Sequence, residues 1–364
     1  MTAPSPQFLT CFPLGDSGSG PLHGQVRQLL RAAIEEHFED GQSFWTERLL
    51  IEQLGVARGT LRQALDELTR EGVLVREAKR GSFVCKSVAT CVGVIFEDAN
   101  SDFVSEMIQK LALQCGERDL SLNLYPLIGR VQVDELVEKV RHPPVQERIL
   151  LLIGDEEQRR RLHLLLSTRG YQVVSLDESE SESGISCVAT DSQHAVRLAI
   201  DHLTSLGHER ITFLVNEPRE RLSVASKVKE CHRLFIQRGL SEGRVVECQT
   251  HTEESSFDNA YEMMPSLWQG AARPTAIFTA SDPGAWAALR WFAEHGVKVP
   301  GEVSVLGYEG VKPDAFTYPP LSTVAHPLDE LARRALDELW TLSCSQVRVE
   351  PQLIVRQSTG KSPI

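Results

Sequence analysis

At 364 residues the chain is longer than one hydrophobic core ordinarily supports, so it divides into more than one domain. Its net charge of -12 argues against a protein that coats nucleic acid regardless of sequence, and no apolar run approaches the roughly 18 residues that span a bilayer. Eight cysteines, at 11, 85, 91, 115, 187, 231, 248 and 344, include no C-x-x-C pair and no metal-ligand spacing, which predicts free thiols in a reducing cytosol, no metal and no cofactor. The N-terminus lacks the charged and apolar regions of a signal peptide, so a soluble cytoplasmic protein is expected.

In chain order, residues 1–20, with Pro4, Pro6, Pro13 and the run GDSGSG, read as a mobile tail. Residues 21–86 read as a winged helix-turn-helix. Val26, Leu29, Leu30, Ala33 and Ile34 recur at helical spacing and give a first helix one apolar stripe. Thr46 is placed to cap a short second helix carrying Leu50 and Leu54, and Gly55 supplies the turn after it. A third helix starts near Ala57, buries Leu61, Ala64, Leu65 and Leu68, and ends at Gly72. VLVRE, AKRG and SFVCK then read as a two-stranded hairpin.

Such a third helix enters the major groove N-terminus first, where arginine can take guanine with two hydrogen bonds. Arg58, Thr60 and Arg62 are therefore the base-reading candidates, while Arg48, Lys79 and Arg80 suit phosphate or minor-groove contacts. The segment from Pro21 to Lys86 holds 10 Lys or Arg against 10 Asp or Glu, so the acidic excess lies elsewhere in the chain. The motifs Trp45-Thr46-Glu47-Arg48, Leu54 through Leu65, Glu71-Gly72 and Arg80 through Val84 resemble the DNA-binding domain of GntR-type bacterial regulators. That resemblance implies that Arg48, Arg58, Thr60, Arg62 and Gly81 lie against an operator. Trp45, where proline is usual, and Thr46 for serine depart from the pattern.

After a short linker at 87–90, apolar strands alternate with helices: CVGVIFED, LSLNLYPL, ILLLIG, YQVVSLD, RITFLVN, TAIFTAS and VSVLGYE, each followed by a helical pattern or loop. Repeated βα units with continuous apolar strands imply parallel sheets covered on both faces, and their number implies two α/β lobes. DESESESG, at 177–184, reads as a solvated loop. ATDSQHAVRLAIDHLTSLGHERITFL, PTAIFTASDPGAWAALRWFAEHGVKVPGEVSVLGYE, YPPLSTVAHPLDELARRALDEL and PQLIVRQSTG resemble the effector domain of lac-repressor-type regulators, relatives of periplasmic sugar-binding proteins. The resemblance implies an effector and dimerisation domain over 91–360 and three crossings between lobes, near Val188–Asp191, Ser322–Ala325 and 343–347. Lobe 1 would then comprise about 91–188 and 325–344, and lobe 2 about 189–323 and 346–360. The pairing of such a head with such a body is the layout of bacterial arabinose repressors.

Domains of this kind hold a small polar molecule between the lobes, at the carboxyl ends of the strands. The resemblance assigns Asp102, Phe103 and Asp177 to that cleft, with Lys227, Ser281 and Glu309 where the family has arginine, asparagine and aspartate. Lysine cannot reproduce the arginine fork, so the ligand stays open. Trp286 points away from the stripe of Ala285, Ala288, Leu289 and Phe292, and the resemblance puts its face at a homodimer interface; partial burial in its own lobe is the alternative. The reading is a repressor of a carbohydrate operon that binds double-stranded operator DNA and responds to a sugar, with a purine or other metabolite as the alternative effector. An enzyme fused to this head would need a pyridoxal-phosphate lysine in glycine-rich surroundings, and no segment supplies one. A solute carrier would have no use for the head.

Overall fold

The computed structural model describes residues 21–70, 73–77, 81–85, 91–97, 101–127, 133–140, 147–176, 185–251, 254–269, 273–341 and 344–363. The expected tail, the linker, Gly72, Lys79, Arg80, Asp177 and the acidic loop lie outside these residues.

The head consists of α1 (Leu22–His37), α2 (Glu47–Leu54), α3 (Arg58–Arg70), β1 (Leu74–Glu77) and β2 (Gly81–Val84). Val26, Leu29, Leu30, Ala33 and Ile34 of α1 pack with Leu50 of α2 and Leu61, Ala64, Leu65 and Leu68 of α3 into one core. Thr46 caps α2 by accepting the amide of Leu49 at 3.4 Å, and Gly55 closes it at φ 64°. The strands β1 and β2 pair antiparallel, and the segment before α2 adds a third strand-like edge: Gly41 and Phe44 donate backbone N–H groups to Val84 and Ser82 at 2.8 and 2.7 Å. Trp45 is buried against Phe38, ring edge to face at 4.7 Å, with Phe44 alongside. This aromatic packing accounts for tryptophan at a position where the motif has proline.

The body continues through β3 (Cys91–Phe96), α4 (Asp102–Glu117), β4 (Ser121–Pro126), α5 (Val133–Lys139), β5 (Glu147–Leu152), α6 (Glu156–Thr168), β6 (Val173–Leu176) and β7 (Ser186–Thr190). Next come α7 (Ser192–Ser205), β8 (Ile211–Val215), α8 (Leu222–Gln237), β9 (Arg244–Glu247), α9 (Ser256–Trp268), β10 (Ala276–Thr279), α10 (Asp282–Glu294) and β11 (Ser304–Glu309). A 3-10 turn (Lys312–Phe316), β12 (Ser322–Ala325), α11 (Leu328–Glu338), β13 (Gln346–Val349) and β14 (Gln352–Ile354) complete it.

Two six-stranded sheets result, in the orders β13-β7-β6-β5-β3-β4 and β14-β12-β11-β10-β8-β9. In the second, β9, β8, β10, β11 and β12 run parallel and β14 antiparallel at the edge. Its strands read as unbroken apolar runs because both faces are covered: every residue of β8 and β10 is buried, and Phe213 stacks on Phe278 at 5.0 Å. The fold is therefore α/β in the body, with two parallel-sheet lobes, and a winged helix-turn-helix in the head.

The strand pairings correct two of the expected crossings. All of β12 pairs with β11 in the second sheet, so the chain leaves lobe 2 after Ala325 rather than within 322–325. The third crossing is not at 343–347, because Gln346–Val349 pairs in parallel with Cys187–Thr190 in lobe 1. The return to lobe 2 comes at 350–351, before β14. The lobe 2 elements not read from the sequence include β9 and α9. The strand β9 is only half-buried and carries a charge at each end, and α9 holds Pro265 in its interior, so neither shows a clean period.

Candidate functional site

The head presents its cations at the start of α3. Arg58 opens the helix and Arg62 follows one turn later, with 68% and 55% of their side chains exposed. Glu47, the first residue of α2, lies between them: its Oε2 is 3.7 Å from Arg58 Nε and accepts a hydrogen bond from Arg62 Nε at 3.2 Å. Arg48 beside it is exposed, and Thr60 is half-buried. Gly81 opens β2 at φ 106°, a conformation that side chains rarely adopt, in open space. Glu47 was not among the residues expected at this site. In the sequence it reads only as a favourable acid in the first turn of α2, and its reach to two arginines on the next helix is a tertiary fact.

In the body, polar groups gather where the lobe 2 strands end. Lys227, on the first half of α8, is 3% exposed; its Nζ donates to the Ala280 carbonyl at 3.0 Å and sits 3.7 Å from the centre of the Tyr308 ring. The ammonium is thus held by a carbonyl and an aromatic face where a fork is usual. Ser281 donates to Glu217 Oε1 at 2.6 Å and accepts from Asn216 Nδ2 at 2.6 Å. Asn216 and Glu217, directly after β8, therefore act with Ser281 as one group. Glu309 ends β11, half-buried, at φ 128°.

Lobe 1 contributes Phe103, buried in the first turn of α4, while Asp102 just before it is exposed. The ring of Phe103 lies 4.6 Å from that of His326, which meets Tyr308 edge to face at 4.8 Å. His326 stands where the chain leaves β12, and its Nδ1 is 2.6 Å from Thr190 Oγ1 at the end of β7. Burial, reinforced by the Lys227 charge, pushes its pKa down to about 3, so the imidazole is neutral near pH 7. Phe103, His326, Tyr308 and Lys227 thus form one chain of contacts between the lobes.

A cavity of about 470 Å³ opens nearby, lined by Glu97, Gly154, Asp155, Glu156, Glu157 and Arg160 of lobe 1 with Glu220 and Arg221 of lobe 2. Glu97 accepts the Gly154 amide at 2.6 Å and lies 3.7 Å from Arg221, which also pairs with Glu217 at 3.3 Å. Burial raises the Glu97 pKa, opposed by Arg221 and the Gly154 amide. None of Asp102, Phe103, Lys227, Ser281 and Glu309 lines this cavity. Sequence reading did not single out Glu97, Asn216, Glu217, Arg221, Tyr308 and His326; Glu97, Asn216, Glu217 and His326 follow directly on strands of the sheets, Tyr308 is the last residue but one of β11, and Arg221 immediately precedes α8.

Trp286 is half-buried against the core of its own lobe, and its indole Nε1 donates to Asp314 Oδ1 at 2.8 Å. Among the described residues no three His, Cys, Asp or Glu side chains converge as metal ligands would, and no helix is long and apolar enough to cross a membrane.

Head and body together define a helix-turn-helix DNA-binding module carried by a two-lobed receptor. Residues 22–84 match the gntR family of bacterial regulatory proteins, and residues 200–359 match the periplasmic binding protein-like domain. The chain is 23% identical over 275 residues to the ribose operon repressor of Escherichia coli K12, covering 73% of this chain and 81% of that protein. It is 27% identical over 286 residues to the HTH-type transcriptional repressor PurR of Mannheimia succiniciproducens, covering 74% and 81%. Its fold is similar to that of the lac repressor dimer bound to operator and the anti-inducer ONPF, at TM-score 0.61 and 19% identity, covering 76% of this chain and 95% of that one. These relatives are repressors, not enzymes.

Proposed function

We propose that this chain is a cytoplasmic transcriptional repressor whose head reads an operator and whose body takes a sugar or sugar derivative between its lobes. The carrying observation is the pair Arg58 and Arg62, exposed at the first turn of α3 and braced by one carboxylate, in a chain whose body gathers polar groups at its strand ends. Arg58, Thr60 and Arg62 read bases; Arg48, Lys79, Arg80 and the Gly81 backbone hold phosphates or the minor groove. Lys227, Glu309, Asp102, Phe103, Asp177 and the Ser281 group hold the effector. Two heads on a homodimer read a pseudo-palindromic site, and the α10 face with Trp286 forms the dimer contact, beside the exposed Phe316 and Tyr318.

A purine effector is the second reading, supported by the likeness to PurR. A thermal-shift screen of pentoses, hexoses, sugar acids, sugar phosphates and nucleobases separates the two. A true effector stabilises by about 2.7 kcal/mol at a hundredfold excess over Kd. The same compound must change retention of genomic fragments at low salt. A chain that retains no fragment, with or without any of these compounds, is not such a regulator.

A further inference from the structure

Lobe 2 buries two carboxyl groups that the effector cleft does not use. Asp282, the first residue of α10, and Asp314, in the 3-10 turn after β11, both have zero exposure and lie within hydrogen-bonding reach of each other. Their other partners differ. Asp282 accepts three hydrogen bonds, from the Gly310 amide at 2.7 Å, the Val311 amide at 3.3 Å and Thr323 Oγ1 at 2.8 Å. It also sits at a helix N-terminus, where negative charge is favoured. Asp314 accepts the Trp286 indole on Oδ1, while its Oδ2 is buried and receives no hydrogen bond. Two ionised carboxylates would repel at this contact; one proton turns it into a bond. The donor count places the charge on Asp282 and the proton on Asp314.

This pair grips the turn that edges the cleft. Glu309 holds the left-handed value φ 128°, and Gly310 follows at φ 78° with its backbone so close to Ala325 that an added Cβ would lie 2.2 Å from the alanine Cβ. A Cβ at Gly307 would come within 2.0 Å of Asp282 Oδ1, so this strand admits the carboxylate only because it carries glycine there. The strained turn persists because Asp282 fixes the two amides after Glu309. We propose that Asp282 and Asp314 share one proton, and that this pair positions the Glu309 turn and ties it to Trp286 of α10.

Burial pushes the Asp314 pKa up to about 9, with the Asp282 charge adding to it. Arg356, after β14, is the cation whose field opposes this; Trp286, Thr323 and the two amides contribute neutral donors. The sign follows. Above the ordinary carboxylate range the unfolded chain has released the proton and the folded chain keeps it, so this pair makes stability fall as pH rises toward 9. An amide at 314 would donate to Asp282 without a titrating proton.

The test uses the full chain labelled with 5-fluorotryptophan, with the Trp286 resonance assigned from Trp286→Phe. Between pH 6 and 10.5 that resonance should shift with a midpoint near pH 9. In Asp314→Asn it should stay flat, with the fold retained and a higher melting temperature than the parent at pH 9. Asp282→Asn should move the step to lower pH, because Asp314 stays buried but loses the neighbouring charge. A flat parent trace, a step that survives in Asp314→Asn or keeps its midpoint in Asp282→Asn, or an Asp314→Asn chain that fails to fold would each overturn the pair. The link to the cleft rests on the proposed function, but this titration needs neither effector nor DNA, so the two fail separately.

Discussion

In the head, Arg58 and Arg62 leave most of their side chains in water around one carboxylate, whereas lobe 2 removes Lys227, Asp282 and Asp314 from solvent almost entirely. The two regions solve different problems. A polyanion is met by open, screened charges whose individual pairings are worth only about 0.2–1 kcal/mol, so they can be traded for phosphate and base contacts. A charge removed from water must be held by fixed polar partners, which is why the charges of lobe 2 rest on carbonyls, rings, hydroxyls and amides. Perturbing the first region should change recognition and leave stability alone; perturbing the second should do both.

The largest expected effect concerns His326. Its imidazole is neutral in the folded chain because burial and the Lys227 charge lower its pKa to about 3, against roughly 6.5 when unfolded. Below pH 6.5 the unfolded chain gains a proton that the folded chain refuses, so this stability is present above 6.5 and drains as pH falls, at about 1.4 kcal/mol per pH unit. Asparagine keeps a polar atom near Nδ1 for Thr190 and cannot titrate. Denaturant unfolding of the body at pH 7 and pH 5 should therefore show a loss about 2 kcal/mol larger in the parent than in His326→Asn. Equal losses would mean that the histidine is already charged in the fold.

The same contrast decides what the sequence could reveal. The head was legible because its determinants are local: a 3.6-residue stripe in α1, the Thr46 cap, the Gly55 turn, and arginines whose spacing fixes their place on one helix. The order and type of most strands in the body were legible too, since parallel strands buried on both faces are continuously apolar. The crossings were less so. β13 reads QVRV, half polar, and only its register with β7 assigns it to lobe 1. The cleft was legible least, because Thr190 and His326 are 136 positions apart and Lys227 and Ala280 are 53 apart. No spacing rule joins them, and nothing in a single letter tells a charged aspartate from a protonated one.

A middle-sized effect belongs to the head. Arg58→Ala should cost about 1–3 kcal/mol of discrimination between operator and mutated operator, with the melting temperature unchanged because the side chain is exposed and its nearest carboxylate is 3.7 Å away. Competition binding against operators altered one base pair at a time checks this. A uniform loss across all sequences would reassign Arg58 to a phosphate.

Glu47→Gln should have the smallest effect and tests the comparison most directly. The glutamine keeps the size and one acceptor of the side chain but removes the charge that Arg58 and Arg62 share. Nonspecific affinity for duplex DNA should then rise, since a negative charge beside the phosphates has gone. Specific affinity should rise less or fall, since the arginines lose the brace that orders them before contact. The specificity ratio should drop by a factor of about two to five, which corresponds to an exposed ion pair worth up to about 1 kcal/mol. Salt titrations of operator and random duplex, run side by side, separate the two terms. If both affinities rise together and the ratio holds, Glu47 merely repels DNA, and the arginines are aimed by the helix alone.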